Sequence, residues 1–270
     1  MTLTPESTSS WSERLKDVAA RIARDFPGEG PERQPVHTVY GGAQLYSAKT
    51  TNRLGEIALE FAQRWAPGPS ELSSTLGVDS DLAERVHAAV FEKLRREPVE
   101  DFRIDFEDGY GNRPDDEEDG HARSTAREVA AAVEEGIVSP FIGIRVKSLS
   151  GELHRRALRT LDLFVTTLVE TAEGLPEGFV VTVPKLQDVA QVEVVTEALG
   201  ELEDGLGIEG PIPIELMVET PQTIVDVDGN VGVRKWVEAA GGRVRGAHFG
   251  TYDYTAPSPT SGSGDPSPAP

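Results

Sequence analysis

Cysteine is absent from the 270-residue sequence, which excludes disulfide scaffolds, thiolate zinc sites and cysteine nucleophiles. The five histidines are scattered, without the His-x-x-x-His spacing of a helical zinc site. Long apolar runs are also absent, because no stretch approaches the ~20 residues that a membrane-spanning helix needs. Residues 1–11 are polar and lack the apolar core of a secretory signal. We therefore expect a cytoplasmic protein with no membrane partner.

Basic residues are scarce relative to acidic ones. The chain has 26 Lys and Arg against 46 Asp and Glu, and its net charge is −20. A field of this sign repels phosphate backbones, so nucleic acid is not expected as a partner. The simplest role of the acidity is solubility. Apolar residues make up 38% of the chain, enough for a buried core, and the length fits one large α/β domain or two small ones.

Short apolar runs that end abruptly in charged or polar residues occur five times, at 104–108, 143–147, 181–185, 216–219 and 247–253. A sixth run, 36–40, ends at Gly41-Gly42, and segments with helical periodicity separate all six. Buried parallel strands have this continuous apolar pattern, and helical crossovers connect them. Such crossovers give a barrel or an open doubly wound sheet. We expect an α/β fold of the (β/α)8 TIM-barrel type, with chemistry at the carboxyl ends of the strands. No Gly-x-Gly-x-x-Gly follows the first strand, which disfavours a dinucleotide-binding fold.

We expect three regions along the chain. Residues 1–34 form an N-terminal extension with one helix, at about 11–26, and residues 35–256 form the barrel domain. Residues 257–270 are rich in Pro, Ser and Gly and are expected to be disordered. About six strands precede this tail, whereas a closed barrel needs eight, so the barrel is predicted to be incomplete, as in a truncated or frameshifted reading frame. Two stretches are predicted to be turn-rich, 67–77 and 112–120.

Glu219 and Asp253 lie directly after, or just beyond, two of the apolar runs. Carboxylates at the ends of adjacent parallel strands can meet. Mg²⁺ prefers one or two protein carboxylates and fills the rest of its octahedron with water and substrate oxygens. The pair is therefore a candidate metal site, and the alternative is two solvated loop carboxylates.

Glu107 and Asp108 end another run, directly before Gly109. They could contact a metal through water, or Asp108 could simply start a turn. Arg145 lies within an apolar strand, where a charge needs a partner or a ligand. Its guanidinium suits a bidentate substrate carboxylate, and the alternative is a structural ion pair with Glu107 or Asp108.

Lys185 follows a Val-Pro strand end and could steer an anion or pair with a carboxylate. Gly41 and Gly42 could leave room for a substrate or expose amides to an anion, and the alternative is a tight turn. His248 lies within the last apolar run. We expect it to be a core or lining histidine with a hydrogen-bonded partner rather than a general base.

Taken together, the chain resembles the citrate lyase β-subunit-like, or HpcH/HpaI aldolase, superfamily of phosphoenolpyruvate/pyruvate-type barrels. The resemblance covers about 36–256 and rests on five stretches in order: Ile104-Asp105-Phe106-Glu107-Asp108, Ile144-Arg145-Val146-Lys147, Val183-Pro184-Lys185, Met217-Val218-Glu219-Thr220 and Phe249-Gly250-Thr251-Tyr252-Asp253-Tyr254. Each stretch is weak alone, but their order and spacing are specific for the superfamily.

The resemblance implies that Glu219 and Asp253 ligate Mg²⁺ or Mn²⁺, and that Arg145 binds the substrate carboxylate and stabilises the developing enolate. The implied reaction is carbon–carbon cleavage or condensation of a small 2-keto acid or acyl carboxylate through an enolate. Glu107, Asp108 and Lys185 are expected to take part in catalysis. Substrate contacts are expected from Arg145, Gly41 and Gly42. Relatives usually oligomerise, so a homo-oligomer is expected.

The chain departs from this pattern in its first loop, 41–46, which lacks the Arg or His that some relatives carry, so the resemblance names no general base. Two alternatives stay open. One is a degenerate barrel that binds a ligand or partner without catalysis. The other is a condensing enzyme of the malate synthase type that acts on a CoA thioester.

Overall fold

The computed structural model describes residues 2–28 and 30–256, so the predicted disordered tail, 257–270, lies outside the described residues. The chain divides into two compact units, Met1–Pro35 and Val36–Pro270. Helix α1 (Pro5–Asp25) belongs to the first unit. It begins earlier than the predicted helix because Thr4 caps it, its side chain accepting the backbone N–H of Ser7 at 3.2 Å, and Pro5 fits the first turn.

The second unit alternates strands and helices. Its strands are β1 (Thr38–Gly42), β2 (Asp101–Asp105), β3 (Phe141–Arg145), β4 (Phe179–Val183), β5 (Ile214–Val218) and β6 (Val244–Phe249). Its helices are α2 (Thr50–Trp65), α3 (Pro69–Leu76), α4 (Ser80–Arg96), α5 (Asp115–Glu134), α6 (His154–Ala172), α7 (Val189–Leu206), α8 (Pro221–Ile224), α9 (Gly232–Ala239) and α10 (Thr251–Thr255), with a 3₁₀ turn at Ala43–Leu45.

The six strands form one sheet in chain order, and every neighbouring pair is parallel. This confirms the predicted α/β alternation and the number of strands. None of the helices in the described part of the chain is long and apolar enough to cross a membrane.

The two faces of the sheet differ because successive side chains of a strand point to opposite faces. On one face, apolar residues such as Ile104 of β2 and Ile144 of β3 pack with Phe164 of α6 in a fully buried core. Burying a side chain of this size stabilises the fold by about 1.5–3 kcal/mol. The other face carries charged and polar residues, among them Arg103 and Asp105 of β2.

The sheet is strongly curled, with its polar face inside. Tyr40 of β1 lies close to both strands at the opposite edge: its hydroxyl is 3.8 Å from the Met217 sulfur of β5, and its ring centroid is 6.0 Å from that of His248 of β6. In a flat sheet the first and sixth strands would lie roughly 24 Å apart, because neighbouring strands are ~4.8 Å apart. The carboxyl ends of all the strands therefore surround one mouth.

Buried charges inside the curl are paired. Arg103 is 1% exposed and ion-paired with Asp101, and it also donates to Glu215 of β5 and to Thr182 of β4, each at 3.1 Å. Buried charges of this kind are tolerated only when they have such partners.

Two predicted turn-rich stretches contain helices. Helix α3 occupies most of 67–77, because Pro69 starts it and Gly77, with φ +68°, ends it in a left-handed conformation. Pro69 and Gly77, which suggested a turn in the sequence, instead mark the two ends of this helix. Helix α5 begins at Asp115, inside 112–120, because acidic side chains in its first turn favour the helix dipole.

Candidate active site

Glu219 lies at the carboxyl end of β5 and is only 2% exposed. Its Oε1 accepts the backbone N–H of Lys185 at 2.5 Å. On its other side lies Gly250, where an added Cβ would be 2.6 Å from the Cβ of Glu219. Burial, and then the nearby charge of Asp253, raise the pKa of Glu219. The fold thus fixes this carboxylate in a place where its ionised form is costly, which is typical of a functional site.

Lys185 joins carboxylates from different loops. Its ammonium contacts Glu107, lies 2.8 Å from an Asp108 oxygen and lies 3.7 Å from Asp253 Oδ2. The residue has φ +50°, a left-handed conformation that is uncommon for a side chain of this size. Burial opposes its charge, but Asp108 and Glu107 outweigh burial and raise the pKa of Lys185 above its usual value. The amine therefore stays protonated, which disfavours a Schiff base.

Arg145, at the end of β3, makes a bidentate ion pair with Asp105 of β2. Its Nε and Nη2 donate to the two Asp105 oxygens at 2.8 and 2.6 Å. Glu107 and Asp108, the ion-pair partners considered from the sequence, lie farther from Nη2, at 3.6 and 4.0 Å. The guanidinium carbon also lies 4.8 Å from the centre of the Tyr40 ring.

The third guanidinium nitrogen of Arg145, Nη1, donates to none of the residues that the structure describes. Burial disfavours the Arg145 charge, but Asp105 and Glu107 more than offset this and raise its pKa, so the group stays cationic. Arg145 can therefore bind an anion through Nη1 while Asp105 holds it in place.

Glu107 has a buried oxygen, Oε2, that lies 3.6 Å from Arg145 Nη2 but has no hydrogen-bond donor in the described part of the chain. Burial is the main cause of the raised pKa of Glu107. Asp105 is the nearest partner of Arg145, so three carboxylates (Glu107, Asp108 and Asp253) share mainly the ammonium of Lys185, while Glu219 is held by the Lys185 backbone N–H. An added cation would lower the energy of this cluster.

These residues fit a hard divalent cation. Within 2–28 and 30–256, no three His, Cys, Asp or Glu side chains are grouped as a complete metal site. Mg²⁺ does not require one, because it binds one or two protein carboxylates and keeps water and substrate oxygens as its other ligands. Glu219 and Asp253 are the two carboxylates that would hold such an ion, next to the buried Glu107 Oε2, which has no hydrogen-bond partner among the described residues.

Close packing accounts for Gly41 and Gly42. A Cβ on Gly41 would lie 2.6 Å from the Phe102 ring, and one on Gly42 would lie 2.3 Å from the carbonyl oxygen of Gly109. Gly42 thereby lets the loop that carries Glu107 approach β1. Their substrate contacts remain a prediction, whereas their packing role is direct.

The family of the chain follows from one comparison. The family described as "Domain of unknown function (DUF6986)" matches residues 15–263. The chain belongs to the DUF6986 family. No curated protein matches it. In this DUF6986 chain the match contains all the residues of the site described above, from Tyr40 to Asp253.

The structure brings together six predicted site residues, Arg145, Glu107, Asp108, Lys185, Glu219 and Asp253. Sequence reasoning missed Asp105 and Tyr40, which hold Arg145. A signal for Asp105 did exist, because it is a charge within an apolar strand, as Arg145 is. The two are also register partners in the β2–β3 pair.

Proposed function

We propose that this DUF6986 chain is a Mg²⁺- or Mn²⁺-dependent carbon–carbon lyase of the citrate lyase-like type, acting on a small 2-keto acid or acyl carboxylate through an enolate. The observation that carries the proposal is the cluster around Lys185. There, carboxylates that follow β2 and β6 meet the Lys185 ammonium beside the end of β4, and Glu219, which follows β5, is held by the Lys185 backbone N–H. Convergence of such residues at the carboxyl ends of parallel strands is where barrel enzymes place their chemistry.

We also propose that the sheet is the larger part of a (β/α)8 barrel. The support is its curl, its all-parallel chain order and the ion-paired residues inside it. Its two edges are β1 and β6 in the described part of the chain. The outward side of β6 is exposed, with Phe249 58% accessible, whereas β2 is buried throughout.

Each residue of the site has a distinct task in this reaction. Arg145 donates from Nη1 to the substrate carboxylate, and Asp105 keeps the guanidinium oriented. Lys185 offsets the charge of Glu107 and Asp108, and its backbone N–H orients Glu219. Bound to Glu219 and Asp253, Mg²⁺ or Mn²⁺ would polarise the substrate carbonyl and stabilise developing negative charge.

Charge also affects substrate binding. The carboxylates of the cluster repel a substrate anion, and Arg145 alone, already paired with Asp105, offsets little of that repulsion. Glu219 and Asp253 would hold a divalent cation, whose charge would offset the repulsion. We therefore expect a keto acid to bind more tightly with the metal than without it.

Thermal unfolding tests the proposal. A ligand at 100 times its Kd stabilises the folded state by about 2.7 kcal/mol, which corresponds to about 5–10 °C in a domain of this size. We expect Mg²⁺ or Mn²⁺ with pyruvate or oxaloacetate to raise the melting temperature by this amount. Glu219→Gln and Asp253→Asn should remove the shift, whereas Glu56→Gln, on the exposed surface of α2, should retain it.

Equal shifts in the wild type and both site variants would show that the metal assignment is wrong. A shift with metal and acetyl-CoA, accompanied by release of the thiol, would instead favour the CoA-thioester condensing enzyme. A shift with ligand but no turnover of any keto acid or thioester would favour a barrel that only binds.

A further inference from the structure

Glu215 and His248 form a pair inside the curled sheet. His248 of β6 points to the inner face, and its Nε2 lies 2.9 Å from Glu215 Oε2 on the neighbouring strand β5. Glu215 is also held by Arg103, whose Nη2 lies 2.9 Å from the other carboxylate oxygen. Burial opposes ionisation of Glu215, but the His248 hydrogen bond and the Arg103 charge outweigh it and lower the pKa of Glu215 to about 2.

The carboxylate determines which nitrogen of His248 carries the proton. An ionised carboxylate only accepts hydrogen bonds, so Nε2 of His248 must be the N–H donor. The neutral ring then presents the lone pair of Nδ1. Nδ1 has no hydrogen-bond partner among the residues that the structure describes, and the side chain is 27% exposed. A carboxylate that orients a histidine in this way also stabilises the imidazolium that forms when Nδ1 takes a proton.

The pair lies at the proposed substrate site. The rings of Tyr40 and His248 meet edge to face, with 6.0 Å between their centroids. The guanidinium carbon of Arg145 lies 4.8 Å from the centre of the same Tyr40 ring. His248 is also the register partner of Met217, and Glu219 follows Met217 by two residues. Arg145, His248 and Glu219 therefore border the same part of the mouth.

Two other groups near the mouth, Lys185 and Tyr40, are poorly suited to accept a proton. Lys185 is held as an ammonium ion by Asp108 and Glu107. Burial, and then the charge of Glu215, raise the pKa of Tyr40 to about 12, so its phenol stays protonated. Other groups that face the pair from the packed strands are the guanidinium ions of Arg103 and Arg145 and the neutral side chains of Thr182 and Met217. Asp101 also acts on Glu215, but it is ion-paired with Arg103.

We propose that His248, oriented by Glu215, is the proton-transfer residue of the site, which takes a proton from the carbon next to the carbonyl of a 2-keto acid and returns it. This inference rests on the proposed function. The C–H bond breaks, its electron pair stays on the substrate as the enolate, and the proton moves to Nδ1 of His248. In the reverse step Nδ1 returns a proton to carbon, and because His248 is part-exposed this proton can first exchange with solvent. No oxidant or reductant is needed. Glu215 keeps its charge throughout.

Deuterium exchange tests this step directly. With Mg²⁺ and pyruvate in D₂O, the wild type should replace the methyl protons of pyruvate by deuterium, as followed by proton NMR. His248→Gln keeps an N–H donor for Glu215 but has no basic nitrogen, so exchange should slow by about 10²-fold or more. The metal and pyruvate melting shift should remain, which shows a folded and loaded site. His87→Gln, on helix α4, is the matched control and should exchange like the wild type.

The pH profile and a second variant distinguish proton transfer from packing. The acidic limb of the wild-type rate profile should be absent from the residual rate of His248→Gln. Glu215→Gln should also slow exchange, because an amide does not stabilise the imidazolium. Unchanged exchange in both variants, or a loss that parallels a lost melting shift, would overturn the inference.

The role of His248 and the metal site can be tested separately. A wild type that shows the melting shift but no exchange would overturn the role of His248 and leave the metal site standing. A wild type with neither shift nor exchange would overturn the proposed function, and the role of His248 with it.

Discussion

Gly250→Ala should weaken metal binding, because the added methyl group would clash with Glu219. Gly250 has φ −82°, a value that any residue adopts, so the substitution strains no backbone angle. The added methyl carbon would lie 2.6 Å from the Cβ of Glu219 and 2.5 Å from its Oε2. A Cβ essentially never lies within 3.0 Å of such an atom, and the Cβ of Glu219, unlike the end of a flexible side chain, cannot rotate away.

The size of the effect follows from the distances. The clash requires Glu219 or the β6–α10 turn to move by roughly 1 Å, and overpacking of this kind costs about 1–3 kcal/mol of stability. Misplacing a site group by ~1 Å can cost about 10²-fold in function. We expect Mn²⁺ affinity to fall by at least about tenfold, which is about 1.4 kcal/mol.

Gly246→Ala, on strand β6 just before this turn, is the matched control, because its added Cβ would meet Glu215 Oε1 at 3.6 Å, an ordinary contact. Calorimetric titration with Mn²⁺ in the presence of pyruvate measures both variants. Gly246→Ala should bind like the wild type. The reasoning is refuted if Gly250→Ala binds Mn²⁺ as tightly as Gly246→Ala while remaining folded.

Three further predictions concern stability. Asp105→Asn leaves the buried guanidinium of Arg145 without its carboxylate and should cost about 3–5 kcal/mol in urea unfolding; a cost under ~1 kcal/mol would contradict the bidentate pair. Because the pKa of Glu215 is about 2 when folded, against a usual 4.5, its stabilisation of about 3 kcal/mol is complete above about pH 4.5 and is lost as pH falls towards 2. Unfolding at a series of pH values should show this loss in the wild type, and an equal loss in Glu215→Gln would argue against it. Because the pKa of Glu219 is raised, its ionised form opposes folding at neutral pH, so Glu219→Gln should raise the metal-free melting temperature, and a fall would contradict this.

Local sequence was enough to place most strands. The runs at 181–185 and 247–253 contain the carboxyl ends of β4 and β6, because each strand stops where a strand-breaking residue, Pro184 or Gly250, follows it. Sequence reasoning missed α3 because Pro69 and Gly77 are turn residues in most contexts, and here they mark the two ends of a short helix. Local signals of this type do not distinguish a turn from the boundary of a helix.

The candidate site was predictable to the extent that it depends on strand ends. Glu219 follows an apolar run and Arg145 lies near the end of one. In a parallel sheet the carboxyl ends of all strands lie on the same side, so such residues come close together. Their neighbours were not predictable, because they depend on register and curvature. Asp105 reaches Arg145 through the pairing of β2 with β3, and Tyr40 approaches His248 only because the sheet curls. Neither property is encoded in a short stretch of sequence.

Cooperative binding of metal and keto acid is the most direct test of the central claim, which is that one mouth holds both. Calorimetry should measure the Kd of Mn²⁺ for the wild type and for Glu219→Gln, each with and without saturating pyruvate. We predict that pyruvate lowers the wild-type Kd by at least about tenfold, corresponding to a coupling free energy of about 1.4 kcal/mol, and that Glu219→Gln loses both the binding and the coupling. A Kd that is unaffected by pyruvate, or equal in the two proteins, would contradict the account.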